Sequence, residues 1–277
     1  MIKPNRNETI ERIAKLRPID DIFMYQVFKD NVPLTELLLC RIIGMQLSVR
    51  RVSVQYDIEL HAVGARSLRL DVLATDVDGN VYDIEIQRDD RGAIPKRARY
   101  HSSALDVAQL KQGEDFSKLH DTYLIFITEH DLWQDGEAVH IIERRDAKTG
   151  KAFGDGTHII YVNGQYRAED PIGVLMHDFL CEHPEDMLIP LMAETCGYLK
   201  NTQEGLENMC QIIDEYAKEY AKEYAKEYAK EYVKECIKDV NRNNAINMLK
   251  MGKLSYEEIA VGLGIPQEEV EALAETV

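Results

Sequence analysis

Residues 69–88, around which the chain is organised, read Arg69-Leu-Asp-Val-Leu-Ala-Thr-Asp-Val-Asp-Gly-Asn-Val-Tyr-Asp-Ile-Glu-Ile-Gln-Arg88. Two runs of β-prone residues flank Asp78-Gly79-Asn80, which is a typical hairpin turn sequence. In the second run apolar and polar residues alternate, with Tyr82, Ile84 and Ile86 against Asp83, Glu85 and Gln87. Because side chains in a strand alternate between the two faces, the pattern predicts a β-hairpin with one acidic face.

The acidic face of this hairpin has the residue types of a divalent-metal site, since hard cations prefer carboxylate and carbonyl oxygens. Asp71 shares a face with Glu85 only if the turn has an odd number of residues or a bulge corrects the register. A two-residue turn at Asp78-Gly79 separates them, whereas a three-residue loop ending at a left-handed Asn80 pairs Asp71 with Gln87. The pattern alone leaves a metal site and a solvated acidic face as alternatives.

Several segments occur in an order that is similar to a known family. They are Asp21-Ile-Phe-Met-Tyr-Gln-Val-Phe28, Arg69-Leu-Asp-Val72, Tyr82-Asp-Ile-Glu-Ile-Gln87, Arg97-Ala-Arg-Tyr-His-Ser102 and Gly156-Thr-His-Ile-Ile-Tyr-Val-Asn163. Asp71 followed by Glu85-Ile86-Gln87 looks like the D…ExK motif of PD-(D/E)XK nucleases, with glutamine in place of lysine. Over roughly residues 18 to 165 the chain resembles the PD-(D/E)XK nuclease family transposases, the recombination-promoting nuclease (Rpn) group, in which ExQ is habitual.

The resemblance implies an α/β, restriction-endonuclease-like fold with a mixed sheet flanked by helices. It implies a metal-dependent DNA endonuclease in which Asp71, Glu85 and the Ile86 carbonyl bind Mg²⁺ or another divalent cation. Gln87 then stands where a lysine would orient the attacking water. Asp21 matches the first motif of the Rpn group, although a helix N-terminal charge favoured by the dipole explains it equally well. The alternative function is a non-catalytic protein-interaction module on a nuclease fold.

Charge is distributed unevenly along the chain. Net charge is −16, but residues 1–165 carry 22 basic and 26 acidic residues, whereas residues 166–277 carry 11 and 23. A basic run follows the ExQ strand: Arg88, Arg91, Lys96, Arg97, Arg99 and Lys111. Because phosphate binding needs a local cationic surface, we expect DNA contacts from Arg88, Lys96, Arg97 and Tyr100, with ordinary packing or solvation as the alternative for Arg97 and Tyr100.

Further strands and helices follow from periodicity. Strands are predicted at 48–60, 68–77, 81–88, 123–128, 139–145 and 158–162, and helices at 21–28, 34–43, 95–112 and 187–199. In the helix after Pro95 we expect Ala98, Leu105 and Ala108 to pack on the sheet. Tyr100 and His101 could face either way.

The C-terminal part is predicted to be helical, and we expect four segments in all. These are a nuclease-like domain at 1–165, a helical extension packed on it at 166–211, a repeat helix at 212–242 and a small helical unit at 243–277. The repeat Glu-Tyr-Ala-Lys has a period of four, so its tyrosines spiral around the helix rather than forming a 3.5-residue seam. A spacer and a homo-oligomerisation surface both remain open. The last unit is similar to a helix-turn-helix, but its acidic second helix argues against DNA binding.

Composition excludes other classes of protein. No stretch approaches the ~20 apolar residues of a membrane helix, and the amino terminus is not signal-like, so a cytoplasmic protein without a membrane partner is expected. Five scattered cysteines without a CxxC pair argue against a disulfide framework and a structural zinc. The eight histidines show no metal-ligand spacing.

Overall fold

The computed structural model describes residues 6–58, 68–88 and 90–274, side chains at 90–91, 219–220, 223–228, 230–236 and 239 excepted. The helices are α1 Arg6–Ala14, α2 Asp21–Phe28, α3 Val32–Ile43, α4 Pro95–Gln109, α5 Pro171–Leu180, α6 Pro190–Asn201, α7 Gln203–Met251, α8 Tyr256–Leu263 and α9 Gln267–Ala274. The strands are β1 Val49–Ile58, β2 Leu68–Asp76, β3 Val81–Gln87, β4 Thr122–Thr128, β5 Val139–Ile142 and β6 Thr157–Asn163. The end of the first predicted strand, 59–60, lies outside the described residues.

The described strands form one mixed sheet in the order β1-β2-β3-β4-β6-β5. The β1-β2-β3 meander is antiparallel, β3, β4 and β6 are mutually parallel, and β5 returns antiparallel on β6. The β3–β4 connection contains α4, as a parallel crossover requires. The predicted mixed sheet with flanking helices is confirmed.

Helices cover both faces of this sheet. The apolar side chains of β3, including Ile84 and Ile86, join the larger core, to which α2, α3, α5 and α6 contribute. On the other side α4 packs with Ala98 against Leu124 and Phe126 of β4. The acidic side chains of β3 lie beneath α4, and Asp83 and Glu85 are fully buried. A solvated acidic face is therefore excluded for these two residues.

The hairpin register differs from both predicted turns. Cα pairing runs from Thr75–Val81 to Val72–Ile84, and the Asp76 amide donates to the Asn80 carbonyl at 3.1 Å. The loop is thus 77–79, and the same register places Asp71 opposite Glu85 instead of Gln87.

Asp76 is the physical reason for this register. Its Oδ1 accepts the Asp78 and Asn80 amides, each at 2.9 Å, and its Oδ2 accepts Tyr82 Oη at 2.7 Å. The left-handed residue is Gly79, at φ 92°, rather than Asn80. An odd loop closed by a buried carboxylate therefore puts Asp71 and Glu85 on the same side.

Several helix boundaries also differ from the expectation. α4 ends at Gln109, because Leu110 is already extended, and not near Gly113. On α4, Ala98 and Leu105 are buried as predicted, but Ala108 is exposed and Ala104 takes its place. The helix predicted to start at Met187 begins at Pro190, since Met187 follows a 3₁₀ turn.

The chain divides into two compact units, Met1–Ile213 and Asp214–Val277. In the first unit the start of α7 belongs to the core, where Met209 is fully buried. In the second unit, Ser255 and Glu258 form the predicted capping box, and Ile259, Val270 and Leu273 close a small core with Ala245. The four-segment division stays a prediction. No helix among the described residues is long and apolar enough to cross a membrane.

Candidate active site

The β2–β3 hairpin opens where its acidic residues lie. Backbone pairing between β2 and β3 ends at Val72–Ile84. Beyond this pair, backbone amides donate to carboxylate side chains instead of to carbonyls of the opposite strand. The Asp71 amide donates to Oε1 of Glu85 at 3.2 Å, and the Ile86 amide donates to Oδ2 of Asp71 at 3.0 Å. The two carboxylates are therefore held at the gap between the strands.

The Ile86 carbonyl borders the same gap. The N–H and C=O of one strand residue point towards the same neighbouring strand, and the Ile86 amide faces Asp71. One residue later the direction reverses, since the Gln87 carbonyl accepts the Glu129 amide at 3.0 Å. Asp71, Glu85 and the Ile86 carbonyl, which the resemblance implies as metal ligands, thus adjoin one opening.

Side chains from two helices reach this opening. From α2, Tyr25 Oη donates to Oδ1 of Asp71 at 3.1 Å. From α4, the Arg97 guanidinium donates to Oε2 of Glu85 at 2.8 Å and to Oε1 of Gln87 at 3.2 Å. Gln87 Nε2 in turn lies 3.5 Å from Oε2 of Glu85. Arg97 therefore supplies the positive charge that an uncharged Gln87 lacks.

His101 extends the network below Arg97. Its Nε2 accepts Arg97 Nε–H at 3.1 Å, and its Nδ1 lies 3.2 Å from Oδ2 of Asp83 and 3.7 Å from Oε1 of Glu85. Because a guanidinium can only donate, Nε2 carries the lone pair and the proton is on Nδ1. A neutral imidazole in this tautomer donates to Asp83 and is wedged between a cation and two carboxyls.

We call Asp71, Asp83 and Glu85 the acidic cluster, and its members are poorly compensated. Burial raises the pKa of Glu85 to about 9, with the charges of Asp83 and Asp71 adding to the effect. Burial also raises the pKa of Asp71 to about 6, although the Ile86 amide and the Tyr25 hydroxyl oppose the shift. The pKa of Asp83 lies well above its ordinary value, because the side chain is fully buried and Asp71 is negatively charged.

The acidic cluster fits a bound divalent cation. Oδ1 of Asp83 is buried and has no hydrogen-bond partner within the described part of the chain. Asp83, Glu85 and His101 offer ligand atoms that all lie within 4.8 Å of one another. Two buried carboxyls and the half-buried Asp71 face one guanidinium, which favours their protonation, and a cation bound through their oxygens would stabilise the ionised forms instead.

The remaining predicted residues lie around this centre. Asp21 begins α2, where its charge helps to raise the pKa of Asp71 and burial raises its own. Arg88 binds Asp20 and Glu129, each at 3.0 Å. Lys96 and Tyr100 are exposed on the first two turns of α4. The structure thus brings Asp71, Glu85, Gln87 and Arg97 together, whereas Arg88 belongs to an ion-pair network beside them.

Sequence reasoning missed Asp83, His101 and Tyr25 as parts of the site. Asp83 was readable as a member of the acidic strand face, two residues before Glu85. His101 follows Arg97 by four residues, so the two share a helix face, but nothing in the sequence says that this face meets the acidic cluster. Tyr25 reaches Asp71 across 46 positions, and such a long-range contact leaves no local signal.

Residues 53–165 match the PD-(D/E)XK nuclease family transposases. The matched range holds β2 to β6, α4 and the whole acidic cluster. It confirms the predicted family resemblance and the restriction-endonuclease-like α/β fold. No curated protein and no solved structure matches the chain significantly.

Proposed function

We propose that this chain is a metal-dependent DNA endonuclease that hydrolyses phosphodiester bonds. The observation that carries the proposal is the opening between β2 and β3, where the Asp71 amide donates to the Glu85 carboxylate and the Ile86 amide donates to the Asp71 carboxylate. Its location within the matched nuclease-family region supports the same function.

The residues of the chain divide the work as follows. Asp71, Glu85 and the Ile86 carbonyl would hold Mg²⁺ or a similar cation, with Asp83 and His101 as further ligands or supports. When bound, such an ion lowers the pKa of a coordinated water and stabilises charge on a phosphate. Gln87 would hydrogen-bond the attacking water through its side-chain amide. Tyr25 fixes the rotamer of Asp71 through their hydrogen bond.

Arg97 carries the positive charge of the site. Its guanidinium compensates Glu85 in the metal-free protein, and with a cation held by that carboxylate Arg97 would be free to face a phosphate oxygen. Arginine suits this task, because its planar donors match phosphate geometry. Lys96 and the exposed Arg99, also near the amino end of α4, would steer DNA towards it. Asp21, near Arg88 at the rim, would influence the ionisation of Asp71 without touching the substrate.

The test is nicking of supercoiled plasmid with Mg²⁺ and with EDTA. Asp71→Ala and Glu85→Ala should each abolish Mg²⁺-dependent nicking, while the thermal midpoint in EDTA does not fall. Asp78→Ala is the matched control, since Asp78 is an exposed carboxylate on the same hairpin. Unchanged nicking by either site variant would contradict the assignment.

One observation favours the alternative of a non-catalytic interaction module. The Arg97 guanidinium occupies Glu85 and Gln87, as a permanent substitute for a metal would. In that case the wild-type protein nicks DNA with neither Mg²⁺ nor Mn²⁺. Calorimetric titration then also detects no divalent cation at the acidic cluster.

A further inference from the structure

A second group of metal-binding side chains lies at the end of α5. His177, Asp178 and Cys181, here called the α5 cluster, offer one ligand atom each within 4.8 Å of one another. His177 and Cys181 are four residues apart, so they share one face of the last helical turn. The Cys181 sulfur lies 3.5 Å from Nδ1 of His177, and that nitrogen lies 2.9 Å from Oδ1 of Asp178.

The sulfur–nitrogen distance matches one edge of a tetrahedral zinc site. Zinc binds thiolate at about 2.3 Å and imidazole at about 2.0–2.1 Å, so tetrahedral angles put sulfur and nitrogen about 3.5 Å apart. The separation in the α5 cluster is the same. A nitrogen and an oxygen ligand need about 3.4 Å, so binding would widen the His177–Asp178 contact by about half an ångström.

Asp178 is fixed in place by the backbone. Its Oδ1 accepts the Leu188 amide at 2.8 Å and its Oδ2 accepts the Ile189 amide at 2.7 Å. The Asp178 side chain is fully buried, whereas that of His177 is 37% exposed. One ligand is therefore held inside the protein, and another can be reached from solvent. A carboxylate oxygen that accepts one amide keeps a lone pair for a second partner.

We infer that the α5 cluster binds one zinc-class divalent ion through Cys181, His177 and Asp178, with the fourth position open to water. The donor set of sulfur, nitrogen and oxygen selects a borderline-soft metal and discriminates against Mg²⁺. The ion would tie the end of α5 to the segment that leads into α6, because Asp178 already binds Leu188 and Ile189. This site is independent of the acidic cluster and of the proposed nuclease function.

Binding replaces protons. The Cys181 thiol releases its proton to solvent, and His177 takes the tautomer with its proton on Nε2, so that Nδ1 can bind the ion. Burial and the charges of Asp178 and Asp186 raise the pKa of Cys181, while Arg167 and Lys200 oppose the shift. Affinity should therefore increase with pH.

The experiment is a Co²⁺ titration of the full chain, followed by absorption spectroscopy. A thiolate ligand gives a near-ultraviolet charge-transfer band that oxygen and nitrogen ligands do not give, so the acidic cluster is silent. We expect one equivalent with this band, bleached when Zn²⁺ displaces Co²⁺. Cys181→Ser should lose the band, and His177→Gln should weaken Co²⁺ binding at least about tenfold.

Matched controls separate this site from the rest of the molecule. Cys40→Ser removes another half-buried thiol and should keep the band, as should Asp71→Ala in the acidic cluster. Zn²⁺ should raise the thermal midpoint less in Cys181→Ser than in the wild type and in Cys40→Ser, because Cys181→Ser keeps only the acidic cluster. The inference is overturned if the wild type shows no thiolate band, or if the band survives in a folded Cys181→Ser protein. His177→Gln, altered at a partly exposed position, provides the second variant if Cys181→Ser fails to fold.

Discussion

Two sets of buried carboxylates in the first unit differ in how the chain satisfies them. Both oxygens of Asp178 accept backbone amides, at 2.8 and 2.7 Å. In the acidic cluster, Asp83 leaves one oxygen without a hydrogen bond in the described structure, and Glu85 depends on Arg97. A carboxylate whose two oxygens accept backbone amides stabilises the fold without a cation, whereas the acidic cluster is left short of compensating positive charge.

Substitution of Arg97 gives the strongest test of this difference. If its guanidinium provides the charge that Gln87 lacks, Arg97→Gln should lower the Mg²⁺-dependent cleavage rate about 10²–10³-fold, like the loss of an oxyanion donor. Arg99→Gln on the same helix is the control and should change the rate only a few-fold, since Arg99 is exposed. Single-turnover nicking measures both. Equal losses in the two variants would mean that α4 contributes only general attraction for DNA.

Matched amide substitutions measure the two kinds of carboxylate directly. Asp178→Asn should reduce the free energy of unfolding by about 2–3 kcal/mol, because an amide group cannot accept both backbone N–H bonds. Asp83→Asn should leave stability unchanged or raise it, since it replaces a buried carboxyl whose ionisation is unfavourable in the folded protein. Urea denaturation in EDTA gives both values. A large loss for Asp83→Asn would show that its carboxylate stabilises the metal-free fold.

The pH dependence of the free energy of unfolding gives a further signature of the acidic cluster. Raised pKa values, about 9 for Glu85 and about 6 for Asp71, mean that the folded state keeps protons that the unfolded chain releases. Metal-free stability should therefore fall as pH rises from about 4 to 9. Glu85→Gln or saturating Mg²⁺ should flatten the slope, and Asp78→Asn should not. A slope unchanged by Glu85→Gln would assign it to other groups.

The smallest effect is expected from removing the second unit. A chain ending at Ile213 should cleave DNA within about twofold of the full chain, because the acidic cluster lies entirely in the first unit. A chain ending near Lys200 would lose Met209, which is buried in the core of the first unit. Light scattering on both chains tests the expected homo-oligomerisation. Loss of DNA binding without unfolding would assign a DNA contact to the second unit.

The sequence was sufficient for the hairpin and the mixed sheet, which follow from local periodicity. The convergence of Asp71 with Glu85 was implied only by the D…ExQ resemblance, because the residue pattern left the turn open. The register was not accessible, because it depends on Asp76, whose carboxylate closes the turn from inside the protein. The partners on α4 were not accessible either, since a crossover helix can present several faces to a sheet and only tertiary packing chooses one.

The sequence also gave no reason to link His177 with Cys181. A pair four residues apart on an apolar helix is ordinarily part of a core. The decisive feature is Asp178 held by Leu188 and Ile189, and this arrangement exists only after the loop before α6 has packed.

The turn closed by Asp76 has a consequence for the order of folding. The β2–β3 hairpin needs only contiguous residues 68–87, whereas β4 must wait for the α4 crossover. We expect the hairpin to form first, which would place Asp71 opposite Glu85 while both are still hydrated. Dehydration of the two carboxylates then becomes a late event, complete only when α4 docks. A divalent ion captured at the early hairpin would accelerate that docking step, and refolding rates with and without Mg²⁺ would reveal it.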